Sequence, residues 1–265
     1  MSSLSLAVSD GLTITRRNMI KVKRVPDLIV FATLSPIMFV LLFRYVFGGA
    51  INVPGDVSYA EFLLPGIFAQ TVVFGSTITG ASLADDLQKG LIDRFRSLPM
   101  SPSAVLIGRT VADLFLNALS IVVMAVTGLV VGWRIHTSVG EAVAGFLVLL
   151  GFAYAVSWMM ALVGLLVRTP EVVNNASFIV IFPITFVANT FAPLETFPPV
   201  LRHFAEWNPV SAVVQAAREL FGNSFGAPDV WSLQNPVLYS AIWGVVILAI
   251  FVPLSVRAYK NTASR

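Results

Sequence analysis

Apolar residues are gathered along this chain into six long runs, which are separated by polar or mixed segments. Each run is about twenty residues long, the length of α-helix that crosses the hydrocarbon core of a bilayer. No internal repeat and no low-complexity linker divides the runs into groups. The pattern predicts a single all-α integral membrane domain over residues 1–265, with six transmembrane helices at residues 28–48, 61–83, 104–131, 143–167, 172–192 and 237–256.

The composition agrees with a membrane-embedded chain and excludes several kinds of chemistry. Hydrophobic residues make up 57% of the sequence and charged residues only 12%, about half the charged share of a typical soluble domain. A soluble fold of this size could not bury so much apolar side chain, because a large surface must stay in contact with water. The chain has no Cys, which rules out disulfides, thiolate metal sites and cysteine nucleophiles.

The basic residues are distributed unevenly between the segments that connect the predicted spans. Twelve of the seventeen Lys and Arg residues lie in the N-terminal segment, the 84–103 and 168–171 loops and the C-terminal tail, whereas three lie in the other connections. Lys and Arg are enriched in the cytoplasmic loops of membrane proteins. We therefore expect a multi-pass protein of the cell membrane with both termini in the cytoplasm.

A basic amphipathic segment, residues 12–25, precedes the first predicted span. On a helical wheel the apolar residues share one half, and the other half holds the cations Arg16, Arg17, Lys21, Lys23 and Arg24. A helix of this kind lies flat on the membrane surface, with its apolar side in the acyl chains and its cations among anionic head groups. The alternative is a disordered basic tail that only sets topology, and the clean segregation favours the helix.

The loop between the second and third predicted spans contains a second amphipathic segment, residues 85–99. Charged side chains of both signs alternate there around an apolar set that includes Phe95, and Pro99 stops the helix because proline cannot continue the hydrogen-bond ladder. An aromatic side chain ringed by charges is typical of a protein–protein contact. A helix that lies on the membrane or packs on its own bundle would have the same composition, so both interpretations remain open.

The outer segment before the last predicted span, residues 193–225, contains the sequence features of two short helices. Pro198 and Pro199 can start the first helix, and Trp207 would end it at the interface. Asn208 is a natural N-cap that Pro209 follows in the first turn of the second helix, and Gly222 is a fitting C-terminal stop. Helices this apolar are expected to dip into the outer leaflet as a re-entrant pair, protected by the bundle. The alternative is an ordinary folded outer loop.

Polar side chains within the predicted spans mark a candidate transport pathway, because they are costly in hydrocarbon unless they face the bundle interior. Arg109, Asp113 and Asn117 follow at intervals of four on the third span, where a local ion pair explains the first two without any substrate. The other candidates are Gln70 in the second span and Asn174, Asn175 and Asn189 in the fifth. Hydrogen bonds between helices are the simpler explanation for these amides.

The sequence lacks the motifs of nucleotide hydrolysis and of metal catalysis. It contains no G-x-x-x-x-G-K-[ST] phosphate loop and no G-x-S-x-G nucleophile elbow. The two histidines, His136 and His203, are far apart in the sequence, and neither lies in a metal-ligand spacing. We therefore predict that the chain is not itself an enzyme and holds no metal or cofactor of its own.

One stretch of the chain resembles a known family. Residues 89–109, KGLIDRFRSLPMSPSAVLIGR, are similar to the permease subunits of type-2 ABC exporters, particularly the daunorubicin-resistance-like branch. The resemblance extends over nearly the whole chain and includes the NP…R pattern of Asn208, Pro209 and Arg218. It implies that residues 85–99 are a coupling helix that docks on a separate ATPase, and that the outer helices are re-entrant. The implied coupling residues are Lys89, Gly90, Leu91, Ile92, Asp93, Arg94, Phe95, Arg96, Ser97, Leu98 and Pro99.

The resemblance also implies an activity and its partners. It points to an exporter that moves amphiphilic drugs or lipids out of the cell, in which this permease pairs with a second copy or with a related permease. Two ATPase subunits would bind ATP and Mg beneath the pair, lipids would surround the spans, and no nucleic acid is implied as a partner. The alternative is a self-sufficient secondary carrier driven by an ion gradient. Such carriers usually have acidic ion sites, for which Asp113 is the only candidate.

Overall fold

The protein is described by a computed structural model that covers residues 3–24, 26–47, 58–96, 101–167, 169–224, 226 and 229–261. All regular elements within these ranges are helical. The first half contains α1 (Ser3–Arg24), α2 (Pro26–Leu42, continued by a π-helical turn at Phe43–Phe47), α3 (Tyr59–Gly75), α4 (Thr77–Gln88), α5 (Leu91–Arg96) and α6 (Pro102–Val131). The second half contains α7 (Val139–Leu166), α8 (Pro170–Phe186), a 3-10 turn at Leu194–Thr196, α9 (Pro199–Glu206), α10 (Pro209–Phe221), α11 (Trp231–Gln234) and α12 (Pro236–Asn261).

Four helical stretches in the described residues are long and apolar enough to cross a membrane. They are Tyr59–Gln88, which combines α3 and α4, together with Ser103–Val131, Val139–Leu166 and Pro236–Asn261. Two shorter apolar helices, Thr33–Val46 and Pro170–Phe186, accompany them. Each of the six predicted spans falls on one of these helices, so the all-helical architecture predicted from the sequence is confirmed.

The second predicted span is divided into two helices at Ser76. The Ser76 hydroxyl donates hydrogen bonds to the carbonyls of Val72 in α3 and Ala153 in α7, over 2.7 and 3.0 Å. Beyond this point α4 approaches α7 closely, because a Cβ added to Gly80 would lie 2.6 Å from the Met160 carbonyl oxygen. Small residues at helix contacts are typical of membrane proteins. The chain is therefore held to α7 at Ser76 and again beyond it, at Gly80 of α4.

The helix predicted over residues 85–99 is not continuous. α4 runs to Gln88, Gly90 adopts a φ of 65°, and α5 begins at Leu91. A residue in the left-handed region commonly ends a helix, and glycine adopts that conformation without steric cost. The segment is therefore two helices joined by a tight turn. Its last residues, Ser97, Leu98 and Pro99, lie outside the described part of the chain.

Two further predicted boundaries differ from the structure. α1 begins at Ser3 and not near residue 12. The prediction missed this start because the first residues of α1 lack the regular separation of apolar and charged positions that marked residues 12–25. The fifth predicted span, residues 172–192, ends as a helix at Phe186. The chain turns there because the carbonyls of Asn189 and Thr190 accept hydrogen bonds from a buried arginine of α10.

The outer segment folds as two short helices with the expected caps. α9 begins at Pro199 and ends before Trp207. Asn208 caps α10, since its Oδ1 accepts a hydrogen bond of 2.9 Å from the Val210 backbone N–H. Gly222 ends α10 with a φ of 72°. The sequence features of this segment therefore predicted both helices and their limits.

The buried arginine of α10 is Arg218, which joins three segments. Its Nε donates to the Phe62 carbonyl over 2.9 Å, and its Nη2 donates to the carbonyls of Asn189 and Thr190 over 2.8 and 3.3 Å. The guanidinium also lies over the Phe62 ring, 3.7 Å from the centroid. These contacts fasten α10 to the start of α3 and to the turn that follows α8.

Candidate functional site

A cavity of about 360 Å³ lies between α2, α3, α6 and α8. One wall is a ladder of rings, in which Phe178, Phe182 and Phe186 follow one another with centroids 4.9 and 4.0 Å apart. The ring centroid of Phe74 in α3 lies 6.2 Å from that of Phe178. Residues four apart share one face of a helix, so this ladder was visible in the sequence as an i, i+4, i+8 pattern. The ladder was not predicted, because phenylalanine within a predicted span is not distinguished from other apolar residues by hydropathy alone.

Arg109 and Asp113 form a buried ion pair beside this cavity. The Nε and Nη2 of Arg109 donate to the two carboxylate oxygens of Asp113 over 2.9 and 2.8 Å. The Thr79 hydroxyl adds a third hydrogen bond of 2.7 Å to Asp113, and Arg109 also donates to Ser82 over 2.6 Å. The two charged side chains are 8% and 2% exposed. The ion pair that their spacing suggested is therefore present, and it joins α6 to α4.

Two predicted pathway amides line the same cavity. Gln70 is 5% exposed and makes no hydrogen bond to any residue that the structure describes. Asn117 donates to the Asp113 carbonyl over 3.2 Å, and its Oδ1 occupies the space that a Cβ on Gly75 would need. The fold thus brings Gln70, Asp113 and Asn117, which come from two predicted spans, to one cavity.

The asparagines of the fifth predicted span do not line the cavity. Asn174 and Asn175 are exposed on α8 and form no hydrogen bond with other described residues. The interhelical hydrogen bonds expected from them are therefore absent from the described part of the chain. Asn189 lies beyond the end of α8, where its buried backbone N–H donates to the Ser211 hydroxyl over 3.2 Å.

The N-terminal helix packs on the start of α6. A Cβ on Gly108 would collide with the Ile14 side chain, at 2.6 Å, and the side chains of Thr15 and Asn18 donate to the Gly108 carbonyl over 3.3 and 3.5 Å. Ile14 is 4% exposed. The sequence pattern assigned this residue to the acyl chains, but another helix buries it. A helical wheel cannot distinguish these two apolar surroundings.

Arg17 connects α1 to both sides of the turn at Gly90. Its guanidinium lies 3.6 Å from the Asp86 carboxylate and 4.7 Å from the centroid of the Phe95 ring. Phe95 packs against a buried cluster that includes Ile92, so the ring proposed as an anchor for a partner is already partly covered by its own chain. We call the assembly of α1, the end of α4 and α5 the α1–α5 corner.

Other residues predicted for the coupling helix or for the membrane surface are more exposed, or their side chains lie outside the described part of the chain. Lys89 and Arg94 are exposed, and a hydrogen bond of 2.8 Å to Asp85 raises the pKa of Lys89. Arg16 is exposed on α1. The side chains of Lys21, Lys23, Arg24, Asp93 and Arg96 fall outside the described part of the chain.

Replacing Arg17 with Ala should loosen α5 without unfolding the bundle. A half-exposed ion pair and a cation–π contact together stabilise by about 1 kcal/mol, so local opening should increase about fivefold. Hydrogen exchange over residues 91–96 measures this opening. Arg16→Ala is the matched control and should leave the exchange unchanged. Equal effects of the two variants would contradict the proposed contact.

Comparison with known proteins identifies the family. The family model of the ABC-2 type transporter matches residues 11–221 of the chain. The chain belongs to the ABC-2 type transporter family. The match includes α1 from residue 11 onward, the rest of the α1–α5 corner, the cavity helices α2, α3, α6 and α8, and Arg218 of α10.

Individual relatives of this ABC-2 permease cover nearly all of it. The daunorubicin resistance ABC transporter permease protein DrrB1 of Streptomyces coeruleorubidus is 36% identical over 255 residues, which are 96% of this chain and 87% of the relative. The probable doxorubicin resistance ABC transporter permease protein DrrC of Mycobacterium tuberculosis is 25% identical over 260 residues, 98% and 91% of the two chains. A putative transport permease, ycf38, of Porphyra purpurea is 23% identical over 246 residues, 91% and 81% of the two chains.

Membership of this family decides several predictions. An ABC-2 permease is a multi-pass protein of the cell membrane, and ATP hydrolysis belongs to a separate ATPase subunit in such systems. The predicted family, and the prediction that this chain is not itself the enzyme, are therefore confirmed. The alternative of a self-sufficient ion-coupled carrier is set aside, because the family is driven by its ATPase.

Proposed function

We propose that this permease forms the membrane path of a drug-resistance exporter, which moves amphiphilic drugs or lipids out of the cell. The observation that carries the proposal is the 36% identity, over 96% of the chain, to a permease named for daunorubicin resistance. The cavity supports it, because an aromatic wall with few polar groups suits an amphiphile better than a sugar or an ion. Gln70, Asp113 and Asn117 are the pathway residues of this proposal.

In this proposal six helices cross the membrane and both termini lie in the cytoplasm. α8 has 17 residues and so is about 25 Å long, slightly less than the hydrocarbon thickness of about 30 Å. α9 and α10 form the re-entrant pair of the outer leaflet. This placement is supported by Val200 and Phe204 of α9 and by Trp207 directly after it, since they are exposed and would otherwise face water. The basic flanks support the orientation.

The α1–α5 corner is the proposed docking site of the ATPase, and a second permease completes the path. Lys89 and Arg94 are the proposed first contacts, because they are exposed while Phe95 is partly covered. Of the cations predicted for the membrane surface, Arg17 instead contacts Asp86 and Phe95. In this proposal the other four hold α1 at the anionic membrane surface, namely Arg16, Lys21, Lys23 and Arg24. Two ATPases that close on ATP would shift α5, and the hydrogen bonds between α4 and α6 would carry the movement to the cavity.

Efflux measurements with and without the partner test the exporter proposal. Vesicles that contain the permease and its ATPase should expel daunorubicin when ATP is supplied, and vesicles with the permease alone should not. Arg94→Glu should lower ATPase co-purification and efflux several-fold, most strongly at low salt, because a charge at the rim of an interface mainly sets the association rate.

Arg257→Glu is the matched control for this experiment. Arg257 is an exposed cation of α12, near the C-terminus, so its reversal changes the net charge equally without altering α5. ATP-dependent efflux by the permease alone would overturn the exporter proposal. Equal losses from Arg94→Glu and Arg257→Glu would overturn only the docking site.

A further inference from the structure

One buried amide of the cavity has unused hydrogen-bonding capacity. Gln70 is 5% exposed, lines the cavity and makes no hydrogen bond to any described residue of the chain. Buried amides normally find a partner, and an unpaired one is unfavourable. Its position on the same face of α3 as Phe74 directs it to the cavity that the aromatic ladder encloses. A ligand that completes this amide would therefore gain a hydrogen bond that the protein does not make with itself.

The described lining of the cavity offers no free charge to a ligand. Asp113 is the only charged residue among the described residues that line it. Both of its carboxylate oxygens accept hydrogen bonds from Arg109, and one accepts a further hydrogen bond from Thr79. The ion pair is thus neutral as a unit and fully bonded. Recognition in this cavity must come from uncharged polar groups and from the rings.

The rings provide the second half of the site. Phe178 and Phe182 line the cavity, and neither residue is buried by the rest of the chain. Aromatic rings attract other flat rings in offset or edge-to-face arrangements, beyond the gain from apolar burial. The cavity volume of about 360 Å³ lies within the range of about 300–1,000 Å³ found for small-molecule sites. A flat ring system can therefore contact the ladder while one of its substituents reaches Gln70.

We propose that the cavity binds a planar aromatic ring system with an uncharged hydrogen-bonding oxygen, and that the Gln70 amide selects for that oxygen. This inference rests on the proposed function, whose substrate class it narrows. Gln70 is the specificity residue, because it bonds an oxygen and gains nothing from a carbon in the same place. Phe178 and Phe182 bind the rings of either ligand.

An isosteric pair of fluorescent ligands tests the proposal. 9-Anthracenemethanol and 9-ethylanthracene differ by a hydroxyl in place of a methyl group. Both are titrated against the purified full chain in lipid nanodiscs, with empty nanodiscs measuring their partition into lipid. The wild type should bind the alcohol more tightly. Gln70→Leu should lower the affinity for the alcohol about tenfold, which corresponds to the loss of one hydrogen bond. It should change the affinity for the hydrocarbon by less than about twofold.

Two phenylalanine variants separate the rings from the amide. Phe182→Leu should weaken both ligands several-fold, because it removes a ring of the ladder. Phe115→Leu is the matched control, since Phe115 is 55% exposed on α6 and does not line the cavity. It should change neither affinity. Losses of equal size from Phe182→Leu and Phe115→Leu would overturn the assignment of the rings.

Several results would overturn the proposal. In the first, the wild type binds the alcohol no more tightly than the hydrocarbon. In the second, Gln70→Leu lowers the affinity for both ligands equally. In the third, the wild type binds the cation 9-(aminomethyl)anthracene more tightly than the alcohol. Absent saturable binding of both ligands by the wild type would overturn it as well. The wild-type comparison stands even where a variant fails to assemble. The assay needs no ATPase, so a failure of ATP-dependent efflux with this binding pattern intact would count against the exporter alone.

Discussion

Replacing Asp113 with Leu is expected to destabilise the permease by about 3–5 kcal/mol, because it leaves a buried cation without its partner. Arg109 is 8% exposed, and two of its hydrogen bonds go to the Asp113 carboxylate. A large fraction of the variant should fail to assemble, since stabilities of about 5–15 kcal/mol are typical of folded proteins. Size-exclusion chromatography of the detergent-solubilised protein, with a thermal ramp, measures the loss.

A double variant separates the charge from the packing. Arg109→Met combined with Asp113→Leu removes both charges and should recover most of the lost stability, because apolar groups can replace a buried ion pair at little cost. Glu171→Leu is the control for removal of one exposed carboxylate, and should have little effect. A stable Asp113→Leu variant would show that the pair is not needed for folding. A stable double variant with unchanged efflux would remove Asp113 from the pathway.

Arg218→Leu is expected to release α10 from the start of α3 and to lower stability by about 3 kcal/mol. The substitution removes the Arg218 hydrogen bonds to the carbonyls of Phe62, Asn189 and Thr190, and a buried carbonyl that is left unpaired costs about 1–3 kcal/mol. The lost contact with the Phe62 ring adds to this. Thermal unfolding in detergent, followed by tryptophan fluorescence, measures the change.

Two companion variants make the Arg218 result specific. Arg218→Lys keeps the charge but should recover only part of the stability, because an ammonium group lacks the planar fork that reaches both sets of carbonyls. Arg202→Leu breaks an ion pair whose arginine is 43% exposed, and should cost less than about 1 kcal/mol. If Arg218→Leu were no worse than Arg202→Leu, the three carbonyls would have other donors and α10 would be held by its apolar contacts.

The positions of the helices followed from the sequence because hydrocarbon imposes one strict requirement. Every backbone polar group in a lipid environment must be satisfied within the protein, so an apolar run of about twenty residues is a helix. The caps at Asn208 and Gly222 followed from equally local chemistry. The break at Gly90 did not, because the charged and apolar positions keep a helical rhythm through the turn and only the left-handed glycine interrupts it.

The candidate site could be predicted in its residue types but not in its arrangement. Spacing alone placed Arg109 and Asp113 on one face and favoured a local ion pair. The sequence did not reveal that Thr79 and Ser82 complete this pair, since they come from another helix. Nor did it distinguish Gln70, which faces a cavity, from Asn174 and Asn175, which are exposed. These differences depend on which helices become neighbours.

The division at Ser76 splits the second predicted span into two arms, α3 and α4, which are held by different neighbours. The arm that carries Gln70 is held at its far end by Arg218, through the Phe62 carbonyl. The other arm is held to α6 by Thr79 and Ser82. Ser76 is the pivot, pinned to α7 through the Ala153 carbonyl. In the proposed docking of the ATPase, a push on α5 would reach Asp113 through Thr79 and Ser82, while Arg218 would keep the wall of the cavity that holds Gln70 in place.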